Sequence, residues 1–454
     1  MNIIIAGAGK VGYAVARQLV AEGHDVAIID ADRALLDAAM NAMDVIGYHG
    51  NSVNLTVLEE AEVRKADIFI AATSADEVNL VSCQFAKKLG ARYTMARIRN
   101  PEYTERIDAM REIMDLSLAL NPDQVAAEEI SRVLQFPSAS RVEVFPDCEF
   151  EIVTARIPPD SRLHNVTLND LERKFGSRVL ICAVERGTEL IIPKGGFTLH
   201  TGDMVTVTGT PHNLRRFFTS AGAYKKPVRN VTVLGGSRAA VYLTRLLENT
   251  GVGVTIIEKD PDRAKYLSEI LRGADIVCAD GTDTSVLQET GLDRADGFVA
   301  LTNFDEDNII LSMYADKLGV DKVVCKINNE RFTELLDGTF RDTAVSPKDL
   351  MAQRIVGYVR ALSNTTQDST MEALYYLAGG RVVATEFVAG ASARCAGKEL
   401  KDLRLREGVL LPSVTRGGKS FIPDGRTAIQ PGDKVVVITT NRAIRTLDEI
   451  LSED

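Results

Sequence analysis

No apolar run in this 454-residue chain approaches the roughly 18 residues that a membrane span needs. The first residues lead straight into the strand-like Ile3-Ile4-Ile5 with no signal-peptide layout, so the expectation is a cytoplasmic protein. The six cysteines (Cys83, Cys148, Cys182, Cys278, Cys325, Cys395) lack a paired short spacing, which indicates neither a zinc site nor a disulfide framework and leaves core thiols. A surplus of positive charge is missing too. The net charge of −10 argues against broad nucleic-acid binding and against direct adhesion to an anionic membrane leaflet, so membrane attachment would run through a protein partner.

Catalytic constellations are equally scarce. There is no G-x-S-x-G, H-E-x-x-H, paired-carboxylate or Cys/His arrangement. Of the five histidines, only His164, His200 and His212 fall in a small lobe described below, and none has a counterpart in the second copy of that lobe. The composition, 45% hydrophobic and 26% charged, is that of ordinary globular material. At roughly 100–200 residues per domain the chain should hold three or four domains.

What is present is a duplication. Gly7-Ala8-Gly9-Lys10-Val11-Gly12 follows an apolar strand, and Gly235-Gly236-Ser237-Arg238-Ala239-Ala240 follows Val231-Thr232-Val233-Leu234, 228 residues later. Asp30 and Glu258 each close the next apolar strand, 18 residues past the last motif position. Ala66-Asp67 then matches Ala295-Asp296, Thr73 matches Thr302, Asp76-Glu77 matches Asp305-Glu306, Asn79 matches Asn308 and Leu89-Gly90 matches Leu318-Gly319. Between Gly50 and Gly281 the offset widens to 231, which places an indel of two or three residues in that loop. A period this long means tandem domains and not a solenoid.

In the first third, strands expected at Asn2–Ala6, Val26–Ile29, Val45–Tyr48, Ile68–Ala71 and Thr94–Ile98 alternate with helices at Val11–Ala21, Arg33–Met43, Leu55–Glu60 and Glu77–Leu89. That alternation makes a parallel sheet covered on both faces, the doubly wound Rossmann arrangement. Pro122–Leu134 reads as a linking helix with Asn121 as its N-cap. Short alternating strands and one helix follow, and the turns Gly202-Asp203 and Gly432-Asp433 repeat at an offset of 230, as do Pro193 and Pro423. The fold class is therefore α/β: two doubly wound parallel-sheet Rossmann-like domains, each followed by a small α+β lobe. The expected boundaries are 1–121 and 228–345 for the Rossmann domains and 122–140 and 346–370 for linking helices. The lobes take 141–225 and 371–454, with the halves joined near Tyr224-Lys225-Lys226-Pro227.

The glycine turn of the first copy has the strand before it, the helix after it and the acid at the end of the next strand that a dinucleotide motif requires. Gly7 permits the tight turn, Gly9 lets backbone approach a pyrophosphate, and Gly12 lets the helix pack close. The amides from Lys10 and Val11 onward, with the backbone of Ala8, face the phosphates. Asp30 is the acceptor for the adenosine ribose 2′-hydroxyl, which favours NAD⁺/NADH or ATP/ADP over NADP, and Asp32 and Arg33 are counted with it. In the second copy Gly235, Ser237, Arg238 and Glu258 take these places. Ser237 fills part of the phosphate space, and two readings stay open: altered nucleotide binding or a retained shape. Beyond the strand ends stand Asn51, Ser52 and Asp280, then Thr73, Ser74, Asp76 and Thr302, then Arg97 and Arg99, whose guanidinium suits a bidentate phosphate clamp. Helix capping by Ser74 and Asp76, and surface ion pairs for the arginines, are the alternatives.

The order of domains resembles the tandem regulator-of-K⁺-conductance (RCK) architecture, that of the peripheral subunits of Trk potassium-uptake systems, over essentially the whole chain. The carriers are Ala6 to Gly12, Asp30-Ala31-Asp32, Asp280-Gly281-Thr282-Asp283, Asp76-Glu77-Val78-Asn79, Asp305-Glu306-Asp307-Asn308 and the two Gly-Asp turns. Gly50-Asn51-Ser52 departs from the family's Gly-Asp-Ala/Ser loop and lacks its carboxylate. The resemblance implies a non-catalytic, peripheral subunit on the cytoplasmic face of the inner membrane. It further implies a homotetrameric gating ring on a Trk-type K⁺-translocating membrane subunit, responding to NAD(H) or ATP/ADP, with no nucleic-acid partner. An NAD-dependent oxidoreductase and a nucleotide sensor of a different ion carrier are the competing readings.

Overall fold

The computed structural model describes residues 1–104, 107–135, 141–144, 149–222, 228–329, 332, 344–363, 370–377, 381–440, 444 and 446–452. Cys148 and the expected join at Tyr224-Lys225-Lys226-Pro227 lie outside the described residues.

The apolar segments of the first third form strands β1 (Asn2–Ala6), β2 (Asp25–Asp30), β3 (Ile46–His49), β4 (Ile68–Ala71), β5 (Tyr93–Arg97) and β6 (Leu118–Leu120), in the order β3-β2-β1-β4-β5-β6. All pairings among them are parallel, with Ile3 opposite both Val26 and Ile68. Ile3, Ile4, Ile5, Phe69 and Ile70 are buried, as strands covered on both faces require. The covering helices include α1 (Lys10–Ala21), α2 (Arg33–Ala42), α3 (Leu55–Glu60) and α4 (Asp76–Leu89). Strand order reverses between β1 and β4, and a ligand crevice in such a sheet opens beyond the carboxyl ends of those strands. β6 and the helices Pro101–Thr104 and Ile107–Ile113 were not expected from the sequence. Asn121 caps the helix Pro122–Gln135, its Oδ1 accepting from the amides of Asp123 (2.9 Å) and Gln124 (3.3 Å).

The second half repeats this sheet with Ala274–Cys278, Gly253–Glu258, Asn230–Leu234, Gly297–Ala300, Lys322–Lys326 and Ala344–Val345 in that order. The hydrogen-bond register corrects the expected indel. Asp30 pairs with His49 and Glu258 with Cys278, and Asn54 and Asp283 cap equivalent helices. From that strand on the offset is thus 229, and Gly281 corresponds to Ser52 and not to Gly50. The single inserted residue lies between the second helix and the third strand.

Although the chain runs Rossmann-like domain, lobe, Rossmann-like domain, lobe, like associates with like. One compact unit comprises Met1–Ile130, Asn230–Leu318 and Val323–Val359, and the other comprises Ser131–Arg229, Gly319–Lys322 and Arg360–Asp454. In the first unit Asn121 Nδ2 donates to Tyr242 Oη (3.1 Å), and Arg354 pairs with Glu128 (2.6 Å). In the second, Ile152 and Cys182 of one lobe share a buried apolar cluster with Leu377, Val382, Val436 and Ile438 of the other.

Each lobe is a five-stranded sheet with its own core, and each pins its Gly-Asp turn with a buried carboxylate. Asp203 is 1% exposed and takes both prongs of Arg186 at 2.8 Å; Asp433, at 2%, takes those of Arg416 at 2.8 and 2.6 Å. Arg186 and Arg416 also lie over the rings of Phe197 and Phe421. Burial alone would raise the Asp203 carboxyl, but the Arg186 guanidinium and the His200 amide bring it below its usual value. Arg186→Ala should therefore cost about 2 kcal/mol, less than the roughly 3–5 of a fully buried pair because the guanidinium is partly exposed. A carboxyl lowered by folding contributes stability above its unfolded pKa, so the difference between wild type and variant, read by denaturant unfolding, should begin to shrink below about pH 4 and close as pH falls through the lowered pKa of the folded carboxyl.

Candidate functional site

In the first half the turn geometry follows from three glycines with three different duties. Gly7 has φ +108°, and a Cβ there would stand 2.9 Å from the backbone of Ala72 and Thr73. At Gly12 a Cβ would come within 1.8 Å of the Gly7 carbonyl oxygen, so its absence allows α1 to approach the turn. Around Gly9, the N-cap of α1, nothing lies within 4 Å of the Cβ position. The first intrahelical bond runs from Tyr13 N to Gly9 O, and the amides of Lys10, Val11 and Gly12 precede it. With no acidic residue in the first turn, these orphan donors sit at the positive end of the helix and face open space. Such an arrangement has the geometry and polarity to accept an anion.

Asp30 holds this turn together. Its Oδ2 accepts from Ala8 N at 2.5 Å and its Oδ1 from Asp32 N at 2.7 Å. Each oxygen keeps a second lone pair that can accept a further hydrogen bond. The Asp32 carboxylate caps α2 through the amides of Ala34 and Leu35.

Across the switch point, Thr73 donates its amide (2.8 Å) and hydroxyl (2.7 Å) to Asn79 Oδ1, while Asn79 Nδ2 donates to the carbonyls of Thr73 and Arg97. Asn79 and its counterpart Asn308 thereby tie the ends of neighbouring strands, a role that their shared register signals but does not specify. Arg97 Nη1 donates to Thr73 O (2.6 Å), and its buried Nε has no partner among the described residues. Burial first, then the neighbouring Arg99, lower the Arg97 pKa. Arg99 pairs with Asp123 at 3.0 Å.

One crevice of about 1190 Å³ is lined from both halves of the unit. From the first half it receives Gly7, Gly9, Lys10, Val11, Asp30, Asp32, Asn51, Ser52, Thr73, Ser74 and Arg97. The second half contributes Gly235, Ser237, Arg238, Glu258, Asp280 and Thr302. Single ligand pockets usually run to about 300–1,000 Å³, so this space exceeds one small-molecule site. Four expected residues do not line it. Ala8 contributes only its amide to Asp30, and Gly12 serves helix packing. Arg33 pairs outside the crevice with Asp37 at 3.0 Å. Asp76 is buried and neither caps nor lines the crevice: its Oδ2 accepts from the amides of Arg99 (2.7 Å) and Asn100 (2.6 Å), fixing the loop after β5. The cap of α4 is Ala75, with no side-chain bond, which removes the capping alternative for Ser74 as well. Ser52 turns its hydroxyl to Ser82 at 2.8 Å.

The second half differs in detail. Ser237 Oγ folds onto its own helix, accepting from Ala240 N at 3.4 Å, and so competes with an incoming phosphate. Glu258 accepts from Gly236 N (2.6 Å) and Asp260 N (2.9 Å), and Arg263 Nε donates to Gly236 O (2.7 Å). Asp280 takes the amide (3.0 Å) and hydroxyl (2.8 Å) of Thr282, which, with Lys259 nearby, lower its carboxyl pKa.

Lys326, buried and donating to Leu301 O at 3.3 Å, lines the crevice where Arg97 does in the first half. It was not singled out from sequence, although the 229-residue offset from Arg97 leads to it. Burial pushes its ammonium pKa down, against the pull of Asp123 and Asp305.

Family models match most of this chain: a TrkA-N domain at residues 3–115 and again at 231–347, and a TrkA-C domain at 152–222 and 384–452. A Trk system potassium uptake protein TrkA homolog from Archaeoglobus fulgidus is 31% identical over 451 residues, covering 99% of this chain and 100% of that protein. The Trk system potassium uptake protein TrkA of Vibrio alginolyticus is 29% identical and covers 97% and 96%. Among solved structures, the GsuK channel bound to NAD superposes with a TM-score of 0.62 at 17% identity, over 99% of this chain and 78% of that one. The GsuK RCK domain gives 0.62 at 18%, over 99% and 94%. At these identities the structural likeness speaks for the fold alone.

Proposed function

The chain belongs to the TrkA family of potassium-uptake proteins, and from that membership we propose that it is a nucleotide-sensing, non-catalytic regulatory subunit. Its relatives support a role in K⁺ transport. The finer reading is that NAD⁺/NADH or ATP/ADP binds the crevice, with phosphates on the α1 amides and the ribose on Asp30. The observation that carries it is a crevice lined by both glycine turns at once, with the α1 amides open toward it. A ligand touching both halves changes how they fit together, and nucleotides of different length and charge favour different fits. Such a ligand shifts a gate only as far as its affinities for the two states differ.

A ring of four chains on the cytoplasmic face of a Trk-type membrane subunit would turn that change into displacement at the pore, and closed symmetry suits such a ring. Among the described residues no helix is long and apolar enough to cross a membrane, and in this reading the pathway itself belongs to the partner. The test is K⁺ flux through a Trk-type membrane subunit reconstituted in vesicles with this protein, comparing NADH, NAD⁺, ATP and ADP. Flux that differs between nucleotides is the expected result. Flux indifferent to the protein and to every nucleotide overturns the reading.

A further inference from the structure

The two halves of the crevice are not equivalent where the adenosine would sit, and the differences fall together. At the end of β2 the first half has Asp30, Ala31 and, in the first turn of α2, Leu35, all lining the crevice. The matching places in the second half hold Glu258, Lys259 and Arg263. After the fourth strand, Ala75 is replaced by Phe304, a residue 57% exposed whose ring carries the Lys259 ammonium 5.8 Å from its centre. In all, the second half supplies five cationic and three acidic side chains to the crevice, and the first half three of each.

The new cations are also available. Arg263 is held by the Gly236 carbonyl and lies over the Tyr266 ring, and neither it nor Lys259 makes an ion pair among the described residues. The acid beside them takes the same two backbone amides as Asp30 does, but its longer side chain curls the carboxylate to within 2.9 Å of where a Cβ on Gly236 would stand. Ala8, the first-half counterpart of Gly236, carries a methyl group there. Thus the longer acid, the bare glycine and the arginine on its carbonyl form one arrangement. A cation near the ribose is what accommodates a phosphate on it, whereas a lone carboxylate selects the free hydroxyl.

We propose that the second half binds an adenosine nucleotide bearing a phosphate on the ribose itself, at the 2′ or 3′ position, with Arg263 and Lys259 on that phosphate and Phe304 stacked on the base. This deepens the nucleotide-sensing reading and rests on it: the two halves answer to two different nucleotides.

The test uses the full chain and calorimetric titration with adenosine 2′,5′-bisphosphate and adenosine 3′,5′-bisphosphate, with NADH as the probe of the first half. The 2′ form stands for pyridine dinucleotide phosphates and the 3′ form for coenzyme A. At least one bisphosphate should bind to NADH-saturated protein, and Lys259→Ala combined with Arg263→Leu, which installs the first-half residues, should weaken it at least tenfold while NADH binding persists. Retained NADH binding also certifies the fold of that variant. NADH binding without any bisphosphate binding, or bisphosphate affinity unchanged in the variant, overturns the inference and leaves the first-half reading standing. Failure of NADH to bind removes the reading on which it rests.

Discussion

Gly9→Asp should cripple nucleotide binding in the first half without harming the fold. The Gly9 backbone, φ −66° and ψ −177°, is extended and open to any residue, and no atom stands within 4 Å of the new Cβ. Aspartate is moreover a favoured N-cap, about a few tenths of a kcal/mol better than glycine, and α1 has no side-chain cap of its own. The added carboxylate would take the amides that a phosphate needs and put a negative charge beside it. Affinity should fall at least about 100-fold, roughly 3 kcal/mol. The free protein should melt at the same temperature or slightly higher, while the stabilisation that NADH gives the wild type disappears. An unchanged ligand-induced shift would move the phosphate site away from α1.

Gly12→Val should act in the opposite way, through the fold. Its Cβ position lies 1.8 Å from a backbone oxygen, so no rotamer relieves the clash and α1 must back away from the turn. The loss should reach the upper end of the roughly 1–3 kcal/mol of overpacking, and nucleotide affinity should go with it because the helix amides move. Gly12→Ala is the milder case. The second half already carries Ala240 at that place, buried, so a methyl is compatible with the fold though not with the first half's close approach. Chemical denaturation read beside a nucleotide titration separates these variants from Gly9→Asp, which changes affinity alone.

The sheet of the first half was legible because its strands are short apolar runs bounded by turn signals, and its switch point because Gly7 to Gly12 and Asp30 keep the spacing of a nucleotide turn. Asp76 was not legible. Its position after a strand end suits a ligand contact and a structural latch equally, and only the amides of Arg99 and Asn100 decide for the latch. The register of the third strand was misread for a related reason: Gly50 and Gly281 look alike as glycines, but strand pairing sets Gly50 against Ala279, whose amides reach Asp30 O and Glu258 O. Least legible was the association of like with like. Nothing local in Gly7 or Gly235 says that both turns face one crevice, because that depends on long-range packing through pairs such as Asn121 with Tyr242 and Arg354 with Glu128. Lys259, Arg263 and Phe304 went unnoticed because each is ordinary alone, and they acquire meaning only beside Ala31, Leu35 and Ala75.

The most direct measurement is calorimetric titration of the full chain with NADH, set beside the Asp30→Ala variant. The account predicts saturable binding by the wild type and an affinity lower by about 1–3 kcal/mol once the ribose acceptor is gone. Wild-type protein that binds neither NADH nor ATP, or an Asp30→Ala variant that binds as tightly as the wild type, would contradict it.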